Sequence, residues 1–226
     1  MATCRYCGKG GLFTATDRSG LCTRCGPVVR FSIASQLRVV QDSVRLLETS
    51  KNYKTRVGRC ETIISRVRSL REYEVRGIPT GLATSTEQLE RTATAMLAGA
   101  LLDGLRDELE TAKAKAAVAS TLAAKTGALS KVVVDIQTAR RQYPQVDSGA
   151  FAGIEAEART LLAREQAASI RDAAERARFK GQKKKALDLY RDLLYLLAHD
   201  DVPDAQQQSD FADARAAISE LEGELV

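Results

Sequence analysis

The chain has no tryptophan, few other aromatic residues, four prolines and one histidine, and it lacks any long apolar run. Its longest purely apolar stretch, 193–198, is far shorter than the ~20 residues that a membrane-spanning helix needs. The N-terminus shows no apolar signal region behind a basic one. Low proline content and the absence of low-complexity tracts argue against long disordered segments. We therefore expect a folded, soluble, cytoplasmic protein with no membrane partner.

Catalytic motifs are also missing from the sequence. It contains no Walker loop, no dinucleotide-binding glycine motif and no nucleophile elbow. The single histidine, His199, has no second histidine with which to build a metal or acid/base site, and we expect it to be exposed near a helix end. We therefore predict that the protein is not an enzyme and has no small-molecule substrate.

Alanine and leucine dominate what is present, a composition typical of a mostly α-helical protein. Its 226 residues suffice for one or two domains. The charge is uneven: residues 1–80 carry 15 Lys and Arg against 6 Asp and Glu, whereas residues 81–226 carry 19 against 23. A basic end of this kind favours nucleic acid or an acidic partner.

Four of the five cysteines form two closely spaced pairs near the N-terminus. Cys4 and Cys7 make one C-x2-C pair, and Cys22 and Cys25 make a second after fourteen residues. Two thiolates from each pair complete a tetrahedral S4 shell, a donor set that favours zinc, with iron as the minor alternative. The sequence therefore predicts one structural Zn²⁺ bound by these four residues.

Other uses of the cysteines fit less well. Disulfides require an oxidising compartment, and a thioredoxin-like redox pair requires one C-x-x-C beside a βαβ unit. The fifth cysteine, Cys60, falls on an apolar helical stripe, and we expect it to be a buried core residue.

The residues between the two pairs suggest a β-hairpin. Residues 11–16 can form a short strand, residues 17–20 a turn, and Leu21 can start the return strand. The pattern over residues 4–25 resembles the zinc-ribbon class, in which two knuckles are joined by a β-hairpin. The layout also resembles uncharacterised bacterial and phage proteins with an N-terminal ribbon before helices.

Helical periodicity covers nearly all of the remaining chain. The fold class is therefore mostly α, with a small N-terminal β zinc ribbon followed by antiparallel helical hairpins of coiled-coil or tetratricopeptide-like packing. Glycine and proline at 77–81 mark an internal break. The predicted domains are a zinc ribbon, a basic antiparallel hairpin, a linker and a helical hairpin domain, at 1–26, 27–76, 77–84 and 85–226.

The segment 170–198 has the spacing of small, glycine and aromatic residues found in a helical hairpin of the tetratricopeptide type: Ala174, Ala177, Gly181, Ala186 and Tyr190. With the helix at 211–225 it also resembles a microtubule-interacting-and-trafficking three-helix bundle. These resemblances imply a closely packed helical hairpin.

Arginines crowd the predicted helix 53–76, and five of them are candidates for contacts with a phosphate backbone: Arg56, Arg59, Arg66, Arg68 and Arg71. A solvated face of a helical pair explains the same pattern. The lysines at 180 and 183–185 are open to the same two explanations, anion contact or simple solvation.

The function that fits these features is a non-enzymatic zinc-binding adaptor that recognises a protein partner. The ribbon would present Tyr6, Lys9, Phe13 and Arg24, while helical grooves would hold a segment of the partner. The alternative is a nucleic-acid-binding accessory protein that uses the ribbon and the arginine-rich helix.

Overall fold

A computed structural model describes residues 2–11, 15–200 and 202–224. In these ranges the chain forms seven α-helices and one short 3-10 helix at Asp204–Gln206. The α-helices are α1 (Cys25–Thr49), α2 (Tyr53–Val75), α3 (Thr86–Val118), α4 (Leu122–Gln142), α5 (Ser148–Phe179), α6 (Lys183–His199) and α7 (Gln208–Gly223). Within the described ranges, no helix is both long and apolar enough to cross a bilayer.

Short polar side chains start several of these helices. The side chains of Asn52, Thr121 and Asp147 accept hydrogen bonds from backbone N–H groups in the first turns of α2, α4 and α5. The Ser85 hydroxyl accepts the Gln88 N–H at 3.2 Å and caps α3 in the same way. Pro144 follows the end of α4, as expected of a residue that disfavours helix in the position before it.

The predicted N-terminal β ribbon is wrong. Among the described residues, the segment before α1 contains two isolated β-bridges, Thr3 with Gly10 and Thr16 with Cys22, and no strand. Turns occupy the backbone instead, because the Asp17 carboxylate accepts the N–H groups of both Ser19 and Leu21. The second cysteine pair leads directly into α1. Part of the predicted first strand, residues 12–14 with Phe13, lies outside the described residues.

The first compact unit covers residues 1–104. In it α1 packs against α2, joined by the short link 50–52. Cys60, predicted to be a core residue, is fully buried on α2. The buried face of α1 runs through Val29, Ile33, Val40 and Leu47, whereas Val44 is exposed.

The second unit covers residues 105–226 and includes the end of α3. In it neighbouring helices pack in chain order: α4 on α5, α5 on α6, and α6 on α7. Small residues allow the close approach of α5 and α6, since Ala174, Ala177 and Ala186 are all buried. Gly181 turns the chain between these helices with a φ of 72°, a conformation in which other residues are strained. The hairpin predicted over 170–198 is therefore present as packed helices.

The division between the two units lies within α3. The loop between α2 and α3 covers the predicted linker at 77–84. The domain boundaries predicted from sequence remain a prediction.

Two glycines of α3 provide a matched pair for testing the packing of the first unit. A Cβ at Gly104 would overlap the ring of Tyr53, whereas a Cβ at Gly99 meets no atom within 4 Å. We expect Gly104→Ala to lower the free energy of unfolding by about 1–3 kcal/mol because of overpacking. Gly99→Ala should raise it by up to about 1 kcal/mol through helix propensity. Urea unfolding measures both, and equal effects of the two changes would contradict this packing.

Candidate metal centre

The two cysteine pairs lie in turns of the same local form. The Gly8 N–H donates to the Cys4 carbonyl at 2.9 Å, and the Gly26 N–H donates to the Cys22 carbonyl at 2.8 Å. Gly8 has a φ of 72°, so the first turn needs glycine at this position. The second turn continues into α1. Each turn therefore directs both thiols of its pair toward one point.

All four Sγ atoms lie within 4.8 Å of one another. Sulfur atoms of a tetrahedral zinc site with Zn–S bonds near 2.3 Å are about 3.8 Å apart. The thiols thus need only a small contraction to become four ligands of one ion. Cys4 is buried, Cys7 is exposed, and Cys22 and Cys25 are half-buried. This cluster, predicted from spacing alone, is able to hold a metal ion.

Electrostatics within the cluster favour a cation. The backbone N–H groups of Cys7 and Cys22 lower the pKa of the Cys4 thiol to about 6. A hydrogen bond with the Cys22 side chain, together with burial, raises the pKa of the Cys25 thiol to about 12. Negative charge on one thiol thus opposes ionisation of another. A divalent cation removes this conflict, because it stabilises all four thiolates together.

The start of α1 lacks the usual compensation for its positive end. Arg24 at the N-cap makes no side-chain capping bond, and the first turn contains no acidic residue. Four thiolates around one divalent ion carry a net negative charge, and Cys22 and Cys25 place it at this helix end. Negative charge there interacts favourably with the helix dipole. The negative charge of a metal–thiolate cluster would therefore compensate the positive end of α1.

Polar contacts join the first cysteine turn to the end of α2. The Arg76 guanidinium donates to the Tyr6 carbonyl at 2.7 Å and lies 5.5 Å from the centre of the Tyr6 ring. In the opposite direction, the Arg5 guanidinium donates to the Gly77 carbonyl. The Tyr6 ring stacks on Tyr73 with centroids 6.2 Å apart. Residues about 70 positions apart thus hold the cysteine turn in place.

An apolar core lies beneath these contacts. Cys4 and Leu21 of the cysteine segment share one buried cluster with residues from α1, from α2 and from the loop that follows it: Val29, Ile33, Leu70 and Ile78. Burial of this cluster links the cysteine segment to the helices. The segment is therefore part of the first unit's core and not an independently displayed module.

The five candidate arginines of α2 lie in three different environments. Arg68 and Arg71 both contact the Glu90 carboxylate of α3 at 2.7 Å. Arg66 donates to Gln36 of α1 at 3.4 Å. Arg56 and Arg59 are half-buried and have no ion-pair partner in the part of the chain that the structure describes. The structure therefore does not gather these five arginines into one free basic surface.

The other residues singled out from the sequence lie at or near the protein surface. Lys9 and Arg24 are exposed, and Tyr6 is partly exposed. Lys183 pairs with Glu224 at 3.2 Å. His199 is the last residue of α6, is exposed as predicted, and stacks on Tyr195 with ring centroids 4.1 Å apart.

Residues that dock the cysteine segment and α3 were missed by the sequence analysis. Arg5 and Arg76 bind carbonyl groups 72 and 70 residues away in the chain. Glu74, at the end of α2, accepts the Thr86 N–H at 3.0 Å at the start of α3. No periodicity or motif marks such pairs, since their partners are distant in the chain and single charged residues are common.

The Glu90 contacts predict a pH dependence of stability. The Arg68 hydrogen bond holds the pKa of Glu90 below its ordinary value of 4.5. The ionised Glu90 carboxylate therefore stabilises the folded protein above that pH, and this stabilisation is lost as the pH falls through the lowered pKa. Because both arginines are partly exposed, we expect Glu90→Gln to cost about 1 kcal/mol near neutrality. The difference in the free energy of unfolding between parent and variant should disappear once the pH is low enough to protonate Glu90 in the folded protein.

Urea unfolding of parent and variant at each pH measures this difference, since acid effects elsewhere in the chain are common to both. Glu87→Gln is the matched control on α3, because Glu87 lies 3.9 Å from Arg91 and both side chains are exposed. A pH-independent cost at Glu90, or an equal cost at Glu87, would contradict the ion-pair interpretation.

Comparison of the chain with protein-family models, curated proteins and solved structures finds no match.

Proposed function

We propose that this protein is a non-enzymatic adaptor in which one structural Zn²⁺, held by Cys4, Cys7, Cys22 and Cys25, fixes the N-terminal segment to a helical scaffold that binds a protein partner. The observation that carries the proposal is the convergence of four thiols to within 4.8 Å beside a shared core. When bound, zinc supplies a cross-link between the two turns.

A structural role is supported by the ligand count. Four thiolates fill a tetrahedral shell and leave no position for a substrate or an activated water. The surrounding residues serve the fold, since the Cys22 N–H donates to the Cys4 sulfur at 3.3 Å and Arg5 and Arg76 bind backbone carbonyls. We propose zinc over iron because an all-thiolate tetrahedral site is typical of structural zinc.

The ion pairs made by the arginines of α2 favour a protein partner over nucleic acid. Arg68 and Arg71 share one carboxylate, which offsets one of their two positive charges and so reduces the charge available to phosphates. Tyr6 is stacked on Tyr73 and contacted by Arg76, which leaves its ring less available for stacking on a base. The tetratricopeptide-like hairpin of the second unit adds a helical surface of the kind that holds peptides.

The test compares oligonucleotide binding by the parent and by an Arg56→Gln, Arg59→Gln, Arg66→Gln triple variant. Fluorescence anisotropy with single- and double-stranded probes at ~50 mM salt should detect no binding by the parent. Binding that weakens with salt, and that the triple variant reduces for every sequence, would replace the adaptor with a nucleic-acid-binding function. Elemental analysis of the same sample should give one zinc per chain.

A further inference from the structure

One face of α1 is apolar, basic and uncovered. Phe31 and Val28 are 77% and 65% exposed, although both belong to residue types that are usually buried. Arg24 precedes Val28 by four residues and Arg38 follows Phe31 by seven, so all four lie on one side of the helix. We call Arg24, Val28, Phe31 and Arg38 the α1 ridge. It lies opposite the buried face that contains Val29 and Ile33.

The cysteine segment positions the first residue of this ridge. Arg24 stands between Cys22 and Cys25, and its backbone already has right-handed helical angles. Any ion held by the cysteines would therefore fix Arg24 relative to Val28. Neither Arg24 nor Arg38 has an ion-pair partner among the residues that the structure describes. The two charges at the ends of the apolar pair are thus available to a ligand.

Aromatic residues extend the surface beside Val28. Ser32, one helical turn after Val28, accepts a hydrogen bond from the Tyr73 hydroxyl at 3.0 Å. Tyr73 in turn stacks on Tyr6, which is partly exposed. These bonds hold both rings in fixed positions next to the ridge, so a ligand there meets a surface that loses little conformational entropy on binding.

We propose that the α1 ridge docks an acidic amphipathic helix of a partner protein, with apolar side chains on Val28 and Phe31 and carboxylates at Arg24 and Arg38. This inference rests on the proposed adaptor function and names the partner's chemistry. The ridge spans fourteen residues of helix, about 21 Å, which corresponds to about four turns of the partner. Charge complementarity selects an acidic segment, because Arg24 and Arg38 at the ends of the ridge are exposed and have no ion-pair partner among the described residues.

Photocrosslinking tests the proposal with the full chain. Phe31 is replaced by p-benzoylphenylalanine in cells that naturally make the protein, and Phe179, which is 94% exposed on α5, receives the same replacement as a matched control. We expect position 31 to capture a segment of another protein in which acidic residues flank apolar residues at helical spacing. Mass spectrometry of the adduct identifies that segment.

The captured segment is then synthesised and its affinity measured by fluorescence anisotropy. Phe31→Ser should weaken binding by about tenfold or more, as for other aromatic anchors of interfaces. Arg38→Gln should weaken it at low salt and much less at high salt. Phe179→Ser should have no effect. Circular dichroism should show equal helicity in all variants, since each changed side chain is exposed.

Several outcomes would overturn the docking site. These are adducts with nucleic acid or with a second copy of this chain, no adduct above the level at position 179, or peptide binding that Phe31→Ser leaves unchanged. Protein adducts at position 179 alone would show that the α1 ridge is not the docking site, but they would remain consistent with the adaptor function. Failure of both positions to capture protein, together with oligonucleotide binding, would overturn the adaptor function as well.

Discussion

Cys22→Ser should abolish metal binding and release the N-terminal segment from the first unit. The parent should contain one zinc per chain by elemental analysis, and the variant none. Structural zinc sites contribute about 10–16 kcal/mol of apparent binding free energy in small peptides, so their loss unfolds the residues they fold. Because Leu21, Leu70 and Ile78 share one core, we expect the effect to reach the ends of α1 and α2.

Hydrogen exchange measures the extent of that release. Amide protection should fall over residues 2–11, 15–35 and 70–82 and remain at the parent level in α5, α6 and α7. Cys60→Ala is the matched control, since Cys60 is fully buried on α2 and belongs to neither cysteine pair. It should keep the zinc and lose only packing energy. A metal-free parent with full protection of residues 2–11 would refute the structural role of the metal.

Removal of the aromatic ring of Tyr190 should strongly destabilise the second unit. Tyr190 is 6% exposed and packs in the core formed by α5, α6 and α7, and burial raises the pKa of its hydroxyl. By analogy with other aromatic truncations, Tyr190→Ala should cost about 3–5 kcal/mol. Ala186→Leu should also destabilise the unit, by about 1–3 kcal/mol, because Ala186 is fully buried at the contact of α5 with α6.

The same helix provides the control for this prediction. Tyr195 lies on α6 and is 68% exposed, with its ring stacked only on His199 among the aromatic contacts described. Tyr195→Ala should therefore change stability by less than about 1 kcal/mol. Thermal unfolding followed by circular dichroism, with zinc content measured in parallel, compares the three variants. Equal melting temperatures for the Tyr190 and Tyr195 variants would contradict the predicted packing of this hairpin.

The sequence by itself determined the helices and the group of four cysteines that could hold a metal ion. Helices follow from periodicity, and several boundaries follow from residues next to them, such as Asn52 before α2 or Gly181 between α5 and α6. The grouping of the four cysteines follows from their spacing, because thiols two residues apart in a turn are typical of metal sites. Both signals are local, so a single sequence contains them.

Only the tertiary structure decided what surrounds the cysteines. The predicted ribbon failed because the Asp17 side chain and the bonds closing the cysteine turns use the backbone groups that strands would need. Glu90 of another helix forms ion pairs with both Arg68 and Arg71, and Arg76 holds Tyr6 from 70 residues away. Such contacts depend on which elements meet in space. Periodicity and spacing describe one helix or turn at a time. They therefore do not show which charged or aromatic residue from a distant part of the chain packs against that helix or turn.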